Sequence, residues 1–261
     1  MSKIPSVQSL ERAFSLLEAF APANNELGIS ELSRKIDLPR PTVSRLVATL
    51  EKQGYLRQNK ETKKYSLGLK LLHLGAVVQA GLYLKDIAGP VLLRLRDQLR
   101  ETVYIDVVDG DDRVCIDSLP GLNAVRTIVE VGQRSPLYAG ADSRMLLSSL
   151  SDEEFEAYLK RTRLASYTPN TITDPDQLRR VVSEIRRLGY SYSVSEFHPG
   201  SACVSAPIRD GSGKIVAAVS VSFPELKTQP EHVEMYKEAV MEAAREISSL
   251  LGYNPRNGQQ S

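Results

Sequence analysis

The chain has 261 residues, of which 42% are hydrophobic and 25% charged, and its formal net charge at pH 7 is +1. This length and composition suit one large or two ordinary globular domains and exclude a disordered or fibrous chain. The charge is unevenly placed, because residues 1–80 hold 12 Lys and Arg against 7 Asp and Glu, a charge of +5, and the remainder carries −4. The N-terminal part is therefore the one suited to a polyanion such as DNA.

Cysteine and histidine usage argues against a metal site. Cys115 and Cys203 are far apart in the chain, and the three histidines show no ligand spacing. We expect no cofactor and two free thiols in a reducing cytoplasm. The first residues show no export signal, and no run reaches the ~20 apolar residues that span a membrane, so no membrane partner is expected.

Three helices are predicted in the first 53 residues. An amphipathic stripe over residues 7–20 predicts the first helix, and the turn-rich residues 21–25 end it. Apolar residues at helical spacing predict a second helix over residues 29–36 and a third over residues 41–53. Pro41 stands at the first turn of the third helix, where proline is tolerated.

A basic hairpin follows the third helix. Residues 55–57 and 64–67 read as short strands around a polar tip, residues 59–63. Helix, turn, helix and hairpin together predict a winged helix, in which the start of the third helix meets the major groove and the hairpin meets phosphates or the minor groove. Helix-turn-helix patterns also mediate protein contacts, so spacing alone leaves that alternative open.

A leucine-dense helix is predicted over residues 69–78, directly after the hairpin. It is more apolar than an exposed linker, so it packs either on its own domain or, the interpretation we favour, in a dimer interface.

The remaining residues predict an α+β domain with an antiparallel sheet. The predicted helices cover residues 86–99, 142–150, 151–164, 175–188 and 230–251. The predicted strands cover residues 102–119 (a hairpin around 109–112), 125–131, 190–194, 202–209 and 215–222. The segment Asp210-Gly211-Ser212-Gly213-Lys214 is superficially like a phosphate loop, but a hairpin turn is favoured because no helix follows it.

Five segments stand in order along the chain: VQSLERAFSLLEAF, ISELSRKIDLPRPTVSRLVATLEKQGYL, KYSLGLKLLHLG, VGQRSPLYAGADSRMLLSSL, and a Gly-Tyr pair followed by PGSACVSAPIRDGSGKIVAAVSVS. In this order and spacing they resemble the isocitrate lyase regulator (IclR) family of bacterial transcription factors, over about residues 5–252. The resemblance implies a winged helix-turn-helix domain over residues 1–67, a linker helix over 68–83, a GAF/PAS-like effector-binding domain over 84–253 and a disordered tail over 254–261.

The resemblance also assigns DNA-binding residues. The recognition helix of the family matches residues 39–50. The residues expected to face DNA are Arg40, Pro41, Thr42, Ser44 and Arg45 in this helix and Arg57, Lys63 and Lys64 in the wing. Where many relatives have serine, Pro41 removes a hydroxyl and an N–H that could meet a phosphate.

An effector pocket is implied by the segment around residues 137–145 and by the last strands. The expected lining residues are Leu137, Ala139, Gly140, Ala141, Met145, Glu196, Cys203, Ser205, Ser220 and Ser222. We expect free N–H groups at the start of the helix from Asp142 to bind a carboxylate. Ser220 and Ser222 share one face of their strand, which is either a pocket wall or the solvated side of an edge strand. Arg144 stands where many relatives have lysine, which leaves the ligand class open.

The expected function is a DNA-binding transcriptional regulator, a repressor of a catabolic operon whose affinity for double-stranded operator DNA changes with a small carboxylate such as a sugar-acid breakdown product. A homodimer or a tetramer is expected. Two alternatives remain: an enzyme with an appended winged helix, for which Glu196 and His198, two residues apart, are the candidate acid and imidazole, and a regulator that needs no ligand.

Overall fold

The computed structural model describes residues 7–20, 25–80 and 83–254. It divides the chain into two compact units, residues 1–82 and 83–261. The turn expected within residues 21–24, the end of the linker at 81–82 and the tail beyond residue 254 lie outside the described residues.

The first unit is a winged helix. Its elements are α1 (Gln8–Glu18), α2 (Ile29–Lys35), α3 (Arg40–Lys52), β1 (Leu56–Gln58), β2 (Tyr65–Leu67) and α4 (Leu69–Ala80). The strands pair antiparallel, with Leu56 opposite Leu67. One apolar core joins the helices to the hairpin through Leu16, Phe20, Leu27, Leu32, Val43, Val47, Leu50 and Leu56. The spacing that predicted three helices is therefore the spacing that buries this core.

Two glycines let the wing return over the end of α3. Gly54 ends the helix at a φ of 80°, a left-handed conformation that glycine adopts without steric cost. Gly68 donates its N–H to the carbonyl of Tyr55 at 2.8 Å. A Cβ on Gly68 would stand 2.1 Å from the carbonyl oxygen of Gly54, so no larger residue fits there without moving backbone.

Helix α4 exposes leucines. Leu69 and Leu72 are 73% and 70% exposed, and Leu74 is 43% exposed. The ammonium of Lys70 lies over the ring of Tyr55, 4.7 Å from its centre, and places the start of α4 against the wing.

The second unit is an antiparallel sheet between two helical layers. Its helices are α5 (Tyr83–Leu99), α6 (Ala141–Leu147), α7 (Asp152–Arg161), α8 (Pro175–Leu188) and α9 (Pro230–Leu250). Its strands are β3 (Thr102–Asp109), β4 (Asp112–Leu119), β5 (Arg134–Pro136), β6 (Ser191–Val194), β7 (Ser201–Arg209) and β8 (Ile215–Pro224), in the spatial order β5-β4-β3-β8-β7-β6.

Alternation along the strands assigns the helices to opposite faces of this sheet. Phe223 stacks on Tyr236 of α9, with ring centres 4.3 Å apart, so that face meets α9. Tyr104 and Cys203 pack with Ala141 of α6 on the other face. Because β8 lies between β3 and β7, the serines of β8 are not on an edge strand.

The strand predicted over residues 125–131 is wrong. This segment is irregular and is attached to the sheet by side-chain hydroxyls instead of a ladder. Thr102 Oγ1 donates to the Thr127 carbonyl at 2.6 Å, Thr127 Oγ1 donates to the Ser222 carbonyl at 2.9 Å, and Ser118 Oγ donates to the Val129 carbonyl at 2.7 Å. These bonds lay the segment across the ends of β3 and β8.

The turn between β7 and β8 is a hairpin turn, as favoured. The carboxylate of Asp210 accepts from the backbone N–H of Ser212 at 2.9 Å and of Lys214 at 3.2 Å. No described helix is long and apolar enough to cross a membrane.

Substituting Gly68 with alanine is expected to destabilise the winged helix by about 2 kcal/mol or more, because the new methyl group meets backbone. Gly75→Ala in α4, where a Cβ meets no atom within 4 Å, is the matched control and should stabilise by about 0.5–1 kcal/mol. Urea denaturation of both variants followed by circular dichroism checks this, and equal midpoints would contradict it.

Candidate functional site

The start of α3 is an exposed cationic surface on a fixed helix. Val43 and Val47 are buried, and this turns Arg40, Ser44 and Arg45 outward. The hydroxyl of Ser33 donates to the Leu38 carbonyl at 2.6 Å and fixes the turn before the helix. Among the described residues, neither guanidinium forms an ion pair. The predicted residues Pro41 and Thr42 lie on the same first turn, exposed and half-buried.

The three wing residues predicted to bind DNA differ in their surroundings. Arg57 donates from Nε to the Ser66 hydroxyl at 2.9 Å, across the hairpin. Lys63 is exposed at the tip, at a φ of 58°. Lys64 is 3.3 Å from the carboxylate of Glu31, which ties the wing to α2. Of these three, Lys63 is thus the one that makes no side-chain bond among the described residues.

The second unit contains a cavity of about 370 Å³ at one end of the sheet. The sheet contributes Tyr104, Arg113, Ser193, Ser201, Cys203, Ser222 and Pro224, and the start of α6 contributes Gly140 and Asp142. Two loops complete the lining with Val125, Arg126, Thr127, Ile128, Val129 and Gln133 on one side and Glu196, Phe197, His198, Pro199 and Gly200 on the other.

A buried arginine forms the floor of this cavity. The guanidinium of Arg113 donates to the carboxylate of Asp142, with Nε at 3.0 Å, and its Nε lies 3.4 Å from the carboxylate of Asp106. The hydroxyl of Tyr104 donates to the same oxygen of Asp142 at 3.1 Å. One cation therefore faces two buried carboxylates.

The pKa values of the two carboxyl groups are shifted in opposite directions, because the single charge of Arg113 does not stabilise both carboxylates. Burial acts to raise the pKa of Asp142, but the charge of Arg113 and the hydrogen bonds it receives hold that pKa below its ordinary value. Burial raises the pKa of Asp106 well above its ordinary value, and the attraction of Arg113 does not offset this. The pKa of Asp142 is thus below the ordinary value of 3.8, so this group is ionised at neutral pH, whereas the pKa of Asp106 is well above that value.

Glu196 is engaged by a second buried arginine. Arg144 of α6 forms an ion pair with the Glu196 carboxylate and donates to the Tyr192 carbonyl at 3.1 Å. The carbonyl of Glu196 accepts the Thr171 hydroxyl at 2.6 Å. These bonds make Glu196 part of a rigid wall.

Glu196 and His198 do not form an acid and base pair. His198 lies 3.2 Å from the Gln133 side chain through Nε2, and burial lowers the pKa of its ring. Within the described part of the chain, no group of three or more His, Cys, Asp and Glu side chains is placed to hold a metal ion.

The structure separates the predicted effector residues into two groups. Gly140, Glu196, Cys203 and Ser222 line the cavity. The remaining six do not: Leu137, Ala139 and Met145 pack in the apolar core with α7 and α8, and Ala141, Ser205 and Ser220 are buried behind the wall. The Ser220 hydroxyl donates to that of Ser205 at 2.9 Å, so these serines satisfy each other.

The N–H groups expected to be free at the start of α6 are occupied. The N–H of Ala141 donates to the Ser193 hydroxyl at 3.0 Å, and that of Ser143 donates to the Asp142 carboxylate at 2.9 Å. With the ionised Asp142 side chain standing there, this helix end does not suit a ligand carboxylate.

Sequence reasoning missed Tyr104, Arg113 and Arg126. A signal was available only for their buried partner Asp106, which stands between Ile105 and Val107 in a predicted strand; Arg113 follows Asp112 at the hairpin turn and gave no such signal. Arg126 lies in the segment that was predicted to be a strand and gave no signal.

Comparison with known proteins gives the family of the chain. Residues 9–60 match the IclR helix-turn-helix domain, and residues 77–249 match the bacterial transcriptional regulator IclR C-terminal domain. The chain therefore belongs to the IclR family of DNA-binding transcriptional regulators, as the resemblance predicted.

Named relatives and solved structures match the chain over most of its length. It is 34% identical to the regulator KipR of Bacillus subtilis (94% of this chain, 98% of the relative) and 31% identical to the repressor AllR of Klebsiella pneumoniae (95% and 92%). An IclR homologue from Microbacterium hydrocarbonoxydans in complex with 4-hydroxybenzoate has a TM-score of 0.81 at 28% identity (93% and 98%).

The substitution Asp106→Asn tests the buried proton. A raised folded pKa means that the stability contribution of Asp106 is complete below its ordinary pKa of 3.8 and is lost as pH rises toward the folded pKa. Asparagine does not titrate. The free energy of unfolding of the variant relative to that of the wild type should therefore rise by up to ~1.4 kcal/mol for each pH unit above the ordinary pKa. Chemical denaturation of both proteins between about pH 4.5 and 7.5, a range of about three pH units, measures this difference in the free energy of unfolding.

Asp142→Asn is the control of opposite sign. Its lowered pKa gives stability that is present above the ordinary pKa and is lost as pH falls through the folded pKa. This variant should be less stable at neutral pH, by about 3–5 kcal/mol, since it leaves the buried charge of Arg113 without an ionised partner. Over the tested pH range, which lies above both pKa values of Asp142, its difference from the wild type should stay constant, whereas that of Asp106→Asn should change with pH; a constant difference for Asp106→Asn would contradict its raised pKa.

Proposed function

We propose that this regulator is a repressor of a catabolic operon. Its affinity for the operator changes when a small hydroxy acid binds in the cavity. The observation that supports it is the charge of Arg126, which lines the cavity and has no acidic partner among the described residues. The other arginine of the lining, Arg113, is paired with Asp142. Repression follows the relatives that are named repressors. The protein acts where the operator is, in the cytoplasm, and as a regulator and not as an enzyme.

The docking on DNA places the start of α3 in the major groove. Arg40 and Arg45 are the side chains that reach bases or phosphates, and Thr42 and Ser44 supply hydroxyls. Arg57 and Lys63 bring positive charge to a neighbouring phosphate. Lys64 contributes less to phosphate binding than the resemblance implies, because Glu31 already balances its charge.

We propose that the linker, residues 68–83, forms the dimer interface. The support is the exposure of Leu69, Leu72 and Leu74, which a second copy would cover. A homodimer, or a pair of dimers, then presents two winged helices from domains over residues 1–67 to the two halves of an operator, with the effector domain over 84–253 attached. A coupling of ~1–3 kcal/mol between effector and operator is enough for a 5 to 150-fold change in affinity.

The charges decide how a ligand lies in the cavity. Asp142 is ionised and in the wall, so it accepts a ligand hydroxyl and repels a carboxylate. The charge of Arg113 is already balanced by Asp142, and that of Glu196 by Arg144. Arg126 makes one bond, to the Asn123 carbonyl at 3.3 Å, and keeps four donors free. The carboxylate of the ligand therefore lies at Arg126, and its hydroxyl lies at the floor of the cavity, beside Ser222 and Cys203.

The apolar part of the ligand meets the irregular segment. Val125 and Ile128 line the cavity and are 73% and 72% exposed. A ligand with an aromatic or aliphatic body would cover part of both side chains. Aromatic hydroxy acids and sugar-acid breakdown products both have the required groups.

Arg45→Ala is expected to lower operator affinity by about 1–3 kcal/mol, a loss of roughly ten to a hundredfold, without changing the melting temperature. The control is Lys52→Ala at the last turn of the same helix, which removes an exposed cation far from the proposed groove. Gel-shift titration with a DNA fragment that the wild type selects from a random pool measures both. Equal affinities for Arg45→Ala and the wild type would rule out the docking.

Arg126→Gln is expected to remove the preference for carboxylates. The measurement is a thermal-shift screen of the full chain against hydroxy acids, including 4-hydroxybenzoate and sugar acids, followed by titration of the best binder and of its carboxamide. The wild type should prefer the acid by about tenfold or more, an effect of one desolvated charge pair, and the variant should bind both alike. Arg163→Gln, an exposed arginine outside the cavity, is the control, and an unchanged preference in Arg126→Gln would contradict the placement.

A further inference from the structure

A second concave region lies at the far end of the sheet from the cavity. Two hollows of about 250 and 290 Å³ share Gly189, Pro207 and Arg209 in their linings. We call the pair the distal crevice. It lies at the end of β7, whereas the effector cavity lies at its start beside Cys203. Arg209 lies six positions after Cys203 along this extended strand, a distance of ~20 Å.

The charged side chains of the distal crevice are all cationic. They are Arg186, Arg209, Lys214 and Arg245, and no Asp or Glu belongs to either lining. Arg186 is engaged, since it donates to the carbonyls of Ser148 and Leu150 and to the Asp152 carboxylate. Three cations of one small region therefore remain to be considered.

None of the three is ion-paired among the described residues. Arg209 donates from one terminal nitrogen to the Gly213 carbonyl at 2.8 Å, and its guanidinium lies over the Tyr253 ring, 6.0 Å from the centre. Its Nε and second terminal nitrogen are unused. The side chains of Lys214 and Arg245 are exposed and make no hydrogen bond within the described part of the chain. The charge of Lys214 acts on the carboxylates of Asp210 and Glu154, but neither carboxylate forms an ion pair with it.

The other walls are apolar and include a ring. Met241 and Ala244 of α9 and Pro207 of β7 form an apolar side of the hollow that Tyr253 closes. Arg209 is held at the boundary between this side and the hollow that contains Lys214. An arginine with free planar donors suits a phosphate, and a tyrosine face beside apolar side chains suits a flat ring.

We propose that the distal crevice binds a small molecule in which a phosphate group is joined to a flat ring, as in a nucleotide. The phosphate lies among Arg209, Lys214 and Arg245, and the ring lies against Tyr253 and Met241. This site is separate from the effector cavity and does not depend on the function proposed for it. It also gives Lys214, in the turn that is superficially like a phosphate loop, a role as a side chain and not as part of a loop that wraps the phosphate.

The test is calorimetric titration of the full chain with ADP, with pyrophosphate and adenosine as its two halves. Saturable binding of ADP is expected, with weaker binding of pyrophosphate and the weakest binding of adenosine. The double variant Lys214→Gln/Arg245→Gln should bind ADP at least tenfold more weakly. Both side chains are exposed and make no bond, so the fold is retained, which an unchanged melting temperature verifies.

Matched variants locate the site. Arg163→Gln/Arg180→Gln removes two exposed cations elsewhere on the same unit, and an equal loss of ADP affinity there would show unspecific charge attraction and overturn the proposal. Arg126→Gln and Arg45→Ala should keep the full ADP affinity. A loss in either would move ADP to the effector cavity or to the DNA-binding surface, and the absence of saturable ADP binding would equally overturn the proposal.

Discussion

The burial of Arg113 is the constraint on which the effector unit depends. A guanidinium removed from water costs several kcal/mol unless carboxylates approach it with good geometry. Asp106 approaches from β3 and Asp142 from α6, so that one side chain of β4 ties three elements together. The loss of Asp142 would leave the charge of Arg113 unbalanced in the core. The position of α6 over the sheet, and with it the cavity, is therefore fixed by electrostatics as well as by packing.

The same cluster determines what the cavity accepts. Because Arg113 and Asp142 neutralise each other, the floor offers hydrogen bonds without net charge. The uncompensated charge is on Arg126, in a segment attached by hydroxyl-to-carbonyl bonds of Thr102 and Thr127. Such bonds contribute about 0.5–1.5 kcal/mol each. The cavity thus combines a rigid neutral floor with a cationic side that is more weakly attached, which favours a ligand with different groups at its two ends.

The sequence predicts those structural features that depend on interactions between residues close together in the chain, and it does not predict those that depend on contacts between distant residues. The winged helix was predicted well because periodicity, Pro41 and Gly54 act within a few residues. The pairing of Ser220 with Ser222 on one face was correct, but only β3 and β7 on either side decide that Ser220 bonds Ser205 instead of a ligand. The segment around Thr127 has strand-like residues, and it is irregular because hydroxyl bonds to distant carbonyls replaced a ladder.

Strand β7 gives the two proposed ligand sites a common element. It pairs with β6 over part of its length and with β8 from Ser201 to Arg209, so it is held rigidly between the effector cavity and the distal crevice. A rigid strand does not by itself couple the two ends, since a ligand shifts an equilibrium only through different affinities for two conformations. Coupling would have to pass through the attached parts that can move, the segment around Arg126 at one end and the contact of Arg209 with Tyr253 at the other. If these move independently, the two ligands bind without affecting each other, and the crevice would adjust stability and not operator affinity.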